Sequence, residues 1–228
     1  MSKVYQLVSK KEDDTTELLI HGDIVSLTWF ESDVSSFDIG EELAKIDTSN
    51  LVVRINSYGG EAAVGLAIYN LLKTFKGKVT TINDGFACSA ASVIFMAGQE
   101  RVMPLSSVLM IHNAWTIGQG DSNDFRKLAD DLEKITQPCI AVYKENSKLS
   151  ETEIKKMLDR EEWITADEAL AYGFATRIYE NGPRQSTESN VVHKLVMKTK
   201  ELEKRLEEKQ QPIEDGSWSS FFNGKKGN

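Results

Sequence analysis

Cysteine is scarce in this chain of 228 residues: only Cys88 and Cys139 occur, far apart and each alone. That excludes a disulfide framework and a metal site of the Cys-x-x-Cys kind. Histidine is nearly as rare, with His21, His112 and His193 scattered and no HExxH, so neither a metal nor another cofactor is expected. No apolar run approaches the ~18 residues of a membrane span, and the first 16 residues lack the apolar core of a signal peptide. The expectation is a cytoplasmic protein with no membrane partner. No GxxxxGK(S/T) loop is present, so a nucleotide-driven step needs a separate chain. Positive charge is in deficit too, with 27 Lys and Arg against 35 Asp and Glu, a net charge of −8. Because 184–228 is itself slightly basic, the rest is more acidic still, which argues against nucleic acid as a partner.

What is present suits one main domain, 1–183, with an appendage, 184–228; 40% hydrophobic content can build a core of that size. Residues 17–24 read as a strand turning at Gly22 and Asp23, and 38–46 as a short helix with Ile39, Leu43 and Ile46 on one side. Residues 51–55 (LVVRI) read as a buried strand, 61–75 as a helix, and 78–83 as the next strand, closing a βαβ unit and predicting a parallel sheet in an α/β fold. A turn at Gly85, a small-residue helix over 87–98 and strands over 101–103 and 108–112 continue the pattern. Phe125, Leu128, Leu132 and Ile135 mark a helix running to about Lys148, roughly 42 Å if unbroken, with Pro138 as a place where it kinks or splits. A helix of that length projects, and its apolar stripe asks for a second copy of the chain. Ser150 with Glu153 and Thr165 with Glu168 fit capping boxes, and Gly173 fits a helix end before a strand over 174–179. Beyond a linker from Gly182, Val192, Leu195, Thr199, Leu202 and Leu206 trace an amphipathic helix, and Trp218, Phe221 and Phe222 offer a docking tag.

Hydrolysis of an amide by serine needs a base for the hydroxyl proton, a group that orients that base, and donors for the oxyanion. In DGFACSAASVIFM a strand leads through a turn into a helix, which lifts one side chain into an exposed position. Ser89 is the candidate nucleophile and Ser92, one turn on, its rival; Cys88 reads as a buried thiol. His112 ends a strand, where parallel α/β sheets place their sites, and is the candidate base. Asp159, Glu161 and Glu162 offer carboxylates, and the Gly59-Gly60 pair opening a helix exposes N–H groups to an anion.

Together and in this order these residues resemble the Clp protease proteolytic subunit family, serine peptidases of crotonase-like fold, and in particular its phage and prophage members. The resemblance spans 17–179 and rests on Ile55-Asn56-Ser57-x-Gly59-Gly60, Gly85-x-Ala87-x-Ser89 through Ala97-Gly98, Met110-Ile111-His112, and Glu168-Ala169-x-x-Tyr172-Gly173. It implies a spiral of ββα units carrying a projecting handle helix. It further implies Ser89 as nucleophile, His112 as base, Glu161 as the third member with Asp159 in reserve, and an oxyanion hole made by the N–H groups of Gly60 and Ala90. The segment after the histidine then pairs with an extended substrate through Thr116, Ile117, Gly118 and Gln119. Two departures stand out: Glu161 where the family has aspartate, and Tyr58 where it has proline, which loosens the turn or narrows the cleft without removing the donor. Expected partners are peptide substrates, a homo-oligomeric ring with heptamers stacked face to face, and a separate AAA+ unfoldase. The alternative function is maturation of phage capsid proteins, with 184–228 as an assembly element.

Overall fold

The computed structural model describes residues 7–10 and 14–179, apart from 29 and 31. The 184–228 appendage, its amphipathic helix and its aromatic tag lie outside the described residues. In chain order the elements are β1 (Leu7–Lys10), β2 (Thr15–Ile20), α1 (Ser36–Leu43), β3 (Asn50–Ser57), α2 (Ala62–Lys73), β4 (Lys78–Cys88) and α3 (Ala90–Phe95). They continue with β5 (Glu100–Pro104), β6 (Val108–Ile111), α4 (Ser122–Glu145), α5 (Glu151–Asp159), β7 (Glu162–Thr165), α6 (Ala166–Tyr172) and β8 (Arg177–Tyr179).

The sheet is mostly parallel and forks. Strands run β1-β2-β3-β4-β5-β8, while β6 joins the far end of β4 and carries β7 on its other side. The parallel β3–α2–β4 unit is present, as the spacing of apolar residues predicts. Along β3, Leu51, Val53 and Ile55 are fully buried and the residues between them only partly. The expected buried strand thus has one core face, and on the other face Arg54 grips Asp84 of β4 with two hydrogen bonds.

β4 departs most from expectation. Instead of ending at Asn83 and turning at Gly85, it continues to Cys88, and the following helix spans only Ala90–Phe95. The reason is a change of partner: Thr80, Thr81 and Ile82 pair with β5, whereas Phe86, Ala87 and Cys88 pair with β6. Between the halves the register against β3 slips, four steps on β4 (Asn83 to Ala87) against two on β3 (Ile55 to Ser57). Side-chain amides fill the gap: Asn83 Oδ1 accepts from Gly85 N–H and Asn56 Oδ1 from Phe86 N–H. Gly85 therefore sits in a bulge rather than at the turn.

α4 is one continuous helix of 24 residues, about 36 Å long, with Pro138 inside it. Asp121 and Asp124 close a capping box at its start, and it stops at Asn146, short of the expected end. Its buried residues, Thr136, Ile140, Val142 and Tyr143, all fall in the C-terminal half; Phe125 and Ile135 remain exposed. The capping boxes at Ser150 and Thr165 form as expected, and Gly173 ends α6 with φ 87. Arg101 of β5 ties these ends together, donating to the carbonyls of Gly98, Asn146, Gly173 and Phe174. A cation there satisfies the last carbonyls of α4 and α6. Strand β7, which the charged 159–162 segment hid from sequence reading, lies antiparallel to β6. Among the described residues no helix is long and apolar enough to cross a membrane.

Candidate active site

Ser89 stands at the joint between β4 and α3 with φ 52 and ψ −125. An L-residue with a side chain rarely occupies such a conformation, at a cost of about 1–3 kcal/mol, so the surroundings must hold it. They do so from both sides of the residue. Its N–H donates to Met110 O at 2.9 Å, and its carbonyl accepts from Ser92 N–H at 2.9 Å and from the Ser92 hydroxyl at 2.6 Å. Neighbouring glycines leave the room: a Cβ on Gly59 would sit 2.6 Å from Cys88 O and 2.7 Å from Ser89 Cβ, and one on Gly65 would sit 2.8 Å from Ala90 Cβ.

The β4–β6 ladder brings the imidazole to this joint. Cys88 pairs with Met110, so Ser89, just past β4, and His112, just past β6, leave the sheet one step apart in register. His112 Nε2 lies 2.7 Å from Ser89 Oγ. A serine hydroxyl bonded to an imidazole is the arrangement a nucleophile and its base require.

The carboxylates come from the other side of β6. The antiparallel ladder pairs Ile111 with Glu162, which sets Glu161 in the row facing His112. Glu161 is exposed and holds φ 50, with its N–H bonded to Leu158 O. Asp159, the reserve, is engaged elsewhere: its Oδ1 accepts from Asn113 Nδ2 at 2.9 Å. Among the described residues no group of His, Cys, Asp or Glu is arranged to hold a metal ion.

Two residues with a main-chain N–H outside the ladders border the same cleft. Gly59 and Gly60 have φ 101 and 146, and Ile24 bridges Gly60 through its N–H to Gly59 O and its carbonyl to Glu61 N–H. In a parallel bridge of this kind the Gly60 N–H points away from Ile24. Ala90 is the first residue of α3, and its N–H is one of the donors a helix start leaves without an intrahelical partner. Gly60, Ala90, Ser89 and His112 all line one cleft of about 1050 Å³. Its far wall is α4, through Leu128, Leu132, Ile135 and Cys139. Burial pushes the Cys139 thiol up to about 11, which keeps it protonated.

Residues 113–120 pair with no strand among the described residues; the first four border the cleft, and Ile117 is 89% exposed. Thr116 lines the cleft; Ile117, Gly118 and Gln119 follow it outward. Thr136 of α4 anchors the inner end by accepting Ala114 N–H at 3.1 Å while donating to Leu132 O. That anchor escapes sequence reading because the pair is 22 residues apart and a mid-helix threonine carries no signal. Ser92, the rival nucleophile, is fully buried and its hydroxyl is bonded to both Ser89 O and Tyr143 Oη. Cys88 is fully buried, as read. Tyr58 does not line the cleft; its ring packs on Phe86 at 5.3 Å, in a row that continues to Trp163. The Gly59-Gly60 turn stays firm regardless, because Ser57 Oγ accepts Gly59 N–H at 3.0 Å and donates to Gly22 O.

The sequence profile described as Clp protease matches residues 9–182. The chain belongs to the Clp protease family. Among curated Clp relatives, the ATP-dependent Clp protease proteolytic subunit 2 of Thermobifida fusca is 29% identical over 178 residues, 75% of this chain and 87% of that protein. The ATP-dependent Clp protease proteolytic subunit of Bacteroides fragilis is 32% identical over 132 residues, 57% of this chain and 63% of that protein. Among solved structures, a ClpP1 mutant from Listeria monocytogenes superimposes with a TM-score of 0.62 at 24% identity, covering 72% of this chain and 91% of that one. That likeness shows the Clp protease fold, α/β with a mostly parallel sheet, as the resemblance implies.

Proposed function

We propose that this Clp protease family member is a serine endopeptidase that hydrolyses unfolded or short polypeptides inside a homo-oligomeric ring. Ser89 Oγ attacks the scissile carbonyl and passes its proton to His112 Nε2; His112 then protonates the leaving amine, and water repeats the cycle on the acyl-enzyme. Glu161 orients the imidazole through its other ring nitrogen, its carboxylate accepting the ring N–H as an aspartate would, with one methylene more of reach. The N–H groups of Gly60 and Ala90 receive the oxyanion. Residues 116–119 add the substrate as a strand on their free edge. The exposed N-terminal half of α4 joins a second copy, consistent with rings stacked face to face. Unfolding by ATP hydrolysis belongs to a separate AAA+ chain.

The observation that carries this reading is the 2.7 Å contact between His112 Nε2 and a Ser89 Oγ held on a strained joint. Peptidase turnover of the wild type against Ser89→Ala, with fluorophosphonate labelling of the intact oligomer, tests it. Turnover and labelling both depend on Ser89 if the reading holds; an assembled protein labelled at Ser92 instead overturns it. The phage-maturation alternative rests on Tyr58, Glu161 and the appendage, and the relatives named above, subunits of ATP-dependent proteases, lend it no support.

A further inference from the structure

Two buried hydroxyls adjoin the candidate site without any role in the steps above. Ser92 is fully buried and Tyr143, near the C-terminal end of α4, is 2% exposed. Ser92 Oγ lies 2.6 Å from the Ser89 carbonyl oxygen and 2.7 Å from Tyr143 Oη. A carbonyl only accepts and a serine hydroxyl has one proton, so Ser92 donates to Ser89 O. Its remaining bond is then received from Tyr143, and the protons run one way: Tyr143 to Ser92 to the Ser89 carbonyl. Burial pushes the Tyr143 phenol far above its ordinary range, so that proton stays in place.

The Ser89 carbonyl belongs to the same peptide unit as the Ala90 N–H. Hydrogen bonds to an amide oxygen draw electron density across the unit and strengthen its N–H as a donor, and bonds in a chain reinforce one another. They also fix the peptide plane, which sets where that N–H points. We propose that Ser92 and Tyr143 are positioning residues for the oxyanion site: they orient and polarise the Ser89–Ala90 peptide so that its N–H meets the anionic intermediate. The inference rests on Ala90 as an oxyanion donor and deepens that reading. It also links the helix that carries the exposed apolar residues Phe125 and Ile135 to the reacting centre.

A pair that served packing alone would lower the melting temperature and leave turnover of the folded protein intact. The test compares the wild type with Tyr143→Phe and with Ser92→Ala/Tyr143→Phe, the double variant avoiding a buried phenol without an acceptor. Each is assayed well below its melting temperature for kcat and KM on a fluorogenic peptide and for inhibition by a peptide aldehyde, whose hemiacetal oxygen takes the oxyanion position. Losing a whole oxyanion donor costs about 10²–10³ in kcat, so weakening one costs a fraction of that. The double variant is expected to lose about tenfold in kcat with KM within about twofold, and aldehyde affinity falls by a similar factor; Tyr143→Phe loses about threefold. Wild-type kcat and aldehyde affinity in the folded double variant overturn the proposal, whatever the melting temperature does. If the double variant does not assemble, Tyr143→Phe decides alone, since it removes one oxygen and leaves Ser92 bonded to Ser89. A wild type without Ser89-dependent turnover refutes the peptidase reading itself, an outcome separate from active enzyme with unaffected variants.

Discussion

Replacing Gly59 by alanine asks whether the Ser89 joint is built as described. The new Cβ would lie 2.6 Å from Cys88 O, 2.7 Å from Ser89 Cβ and 3.0 Å from Ala90 N, on a residue with φ 101. The left-handed backbone costs an L-residue about 1–2 kcal/mol, and overpacking adds about 1–3 kcal/mol. At about 2–4 °C per kcal/mol for a chain of this size, the melting temperature drops by roughly 4–20 °C. Returning the tight contacts to an ordinary 3.4 Å moves the joint by about 0.7–0.8 Å. Misplacement of about 1 Å costs on the order of 100-fold in turnover, so kcat of the folded variant falls by tens of fold to about 100-fold. Gly40→Ala is the internal control: its Cβ meets nothing closer than Leu71 Cδ1 at 3.8 Å, and it lies within α1. There the same substitution stabilises by about 0.5–1 kcal/mol and leaves turnover unchanged. Scanning fluorimetry with peptide hydrolysis reads both variants; a Gly59→Ala protein with kcat within threefold of wild type refutes the geometry of the joint.

Three further outcomes follow from the site. Glu161→Gln lowers kcat by about 100-fold or more, whereas Asp159→Asn stays within about fivefold, measured by steady-state hydrolysis; the reverse order would move the third role to Asp159. Thr136→Val leaves the Ala114 N–H without its acceptor and raises KM for extended peptides about 5–30-fold with kcat retained, and Thr136→Ser restores it. The Cys139 thiol, whose folded pKa of about 11 exceeds its unfolded value near 9, contributes stability in full below pH 9 and loses it as pH climbs through 11. Alkylation by iodoacetamide at pH 8 is accordingly slow until the chain is unfolded, and melting between pH 9 and 11 declines more steeply in wild type than in Cys139→Ala.

The parts of the fold legible in the sequence are those set by local rules. The βαβ unit shows in apolar spacing, and both capping boxes show because a serine or threonine and a glutamate three residues on make the whole structure between them. His112 is legible because it directly follows a strand, and Gly59-Gly60 because two left-handed residues need glycine. The local sequence sets the end of the strand at Asn83, five residues early, for an equally physical reason. Asn83, Asp84 and Gly85 carry turn chemistry, yet Asn83 and Asn56 spend their side chains replacing ladder bonds, so the strand survives the bulge. β7 hid behind its charges because its pairing with β6 joins segments some 50 residues apart. The Ser92–Tyr143 bond crosses 51 residues, and nothing in either neighbourhood announces it.

β4 answers to two neighbours, and its halves carry different duties. Thr80, Thr81 and Ile82 tie it to β5, and through β5 to β8, while Phe86, Ala87 and Cys88 tie it to β6 beside the meeting of hydroxyl and imidazole. The two extra residues between the halves are held by the Asn56 and Asn83 amides, which bond the backbone of the bulge. Thr81 also donates to Phe95 O at the end of α3, so the half that pairs with β5 holds the helix that Ser89 opens as well.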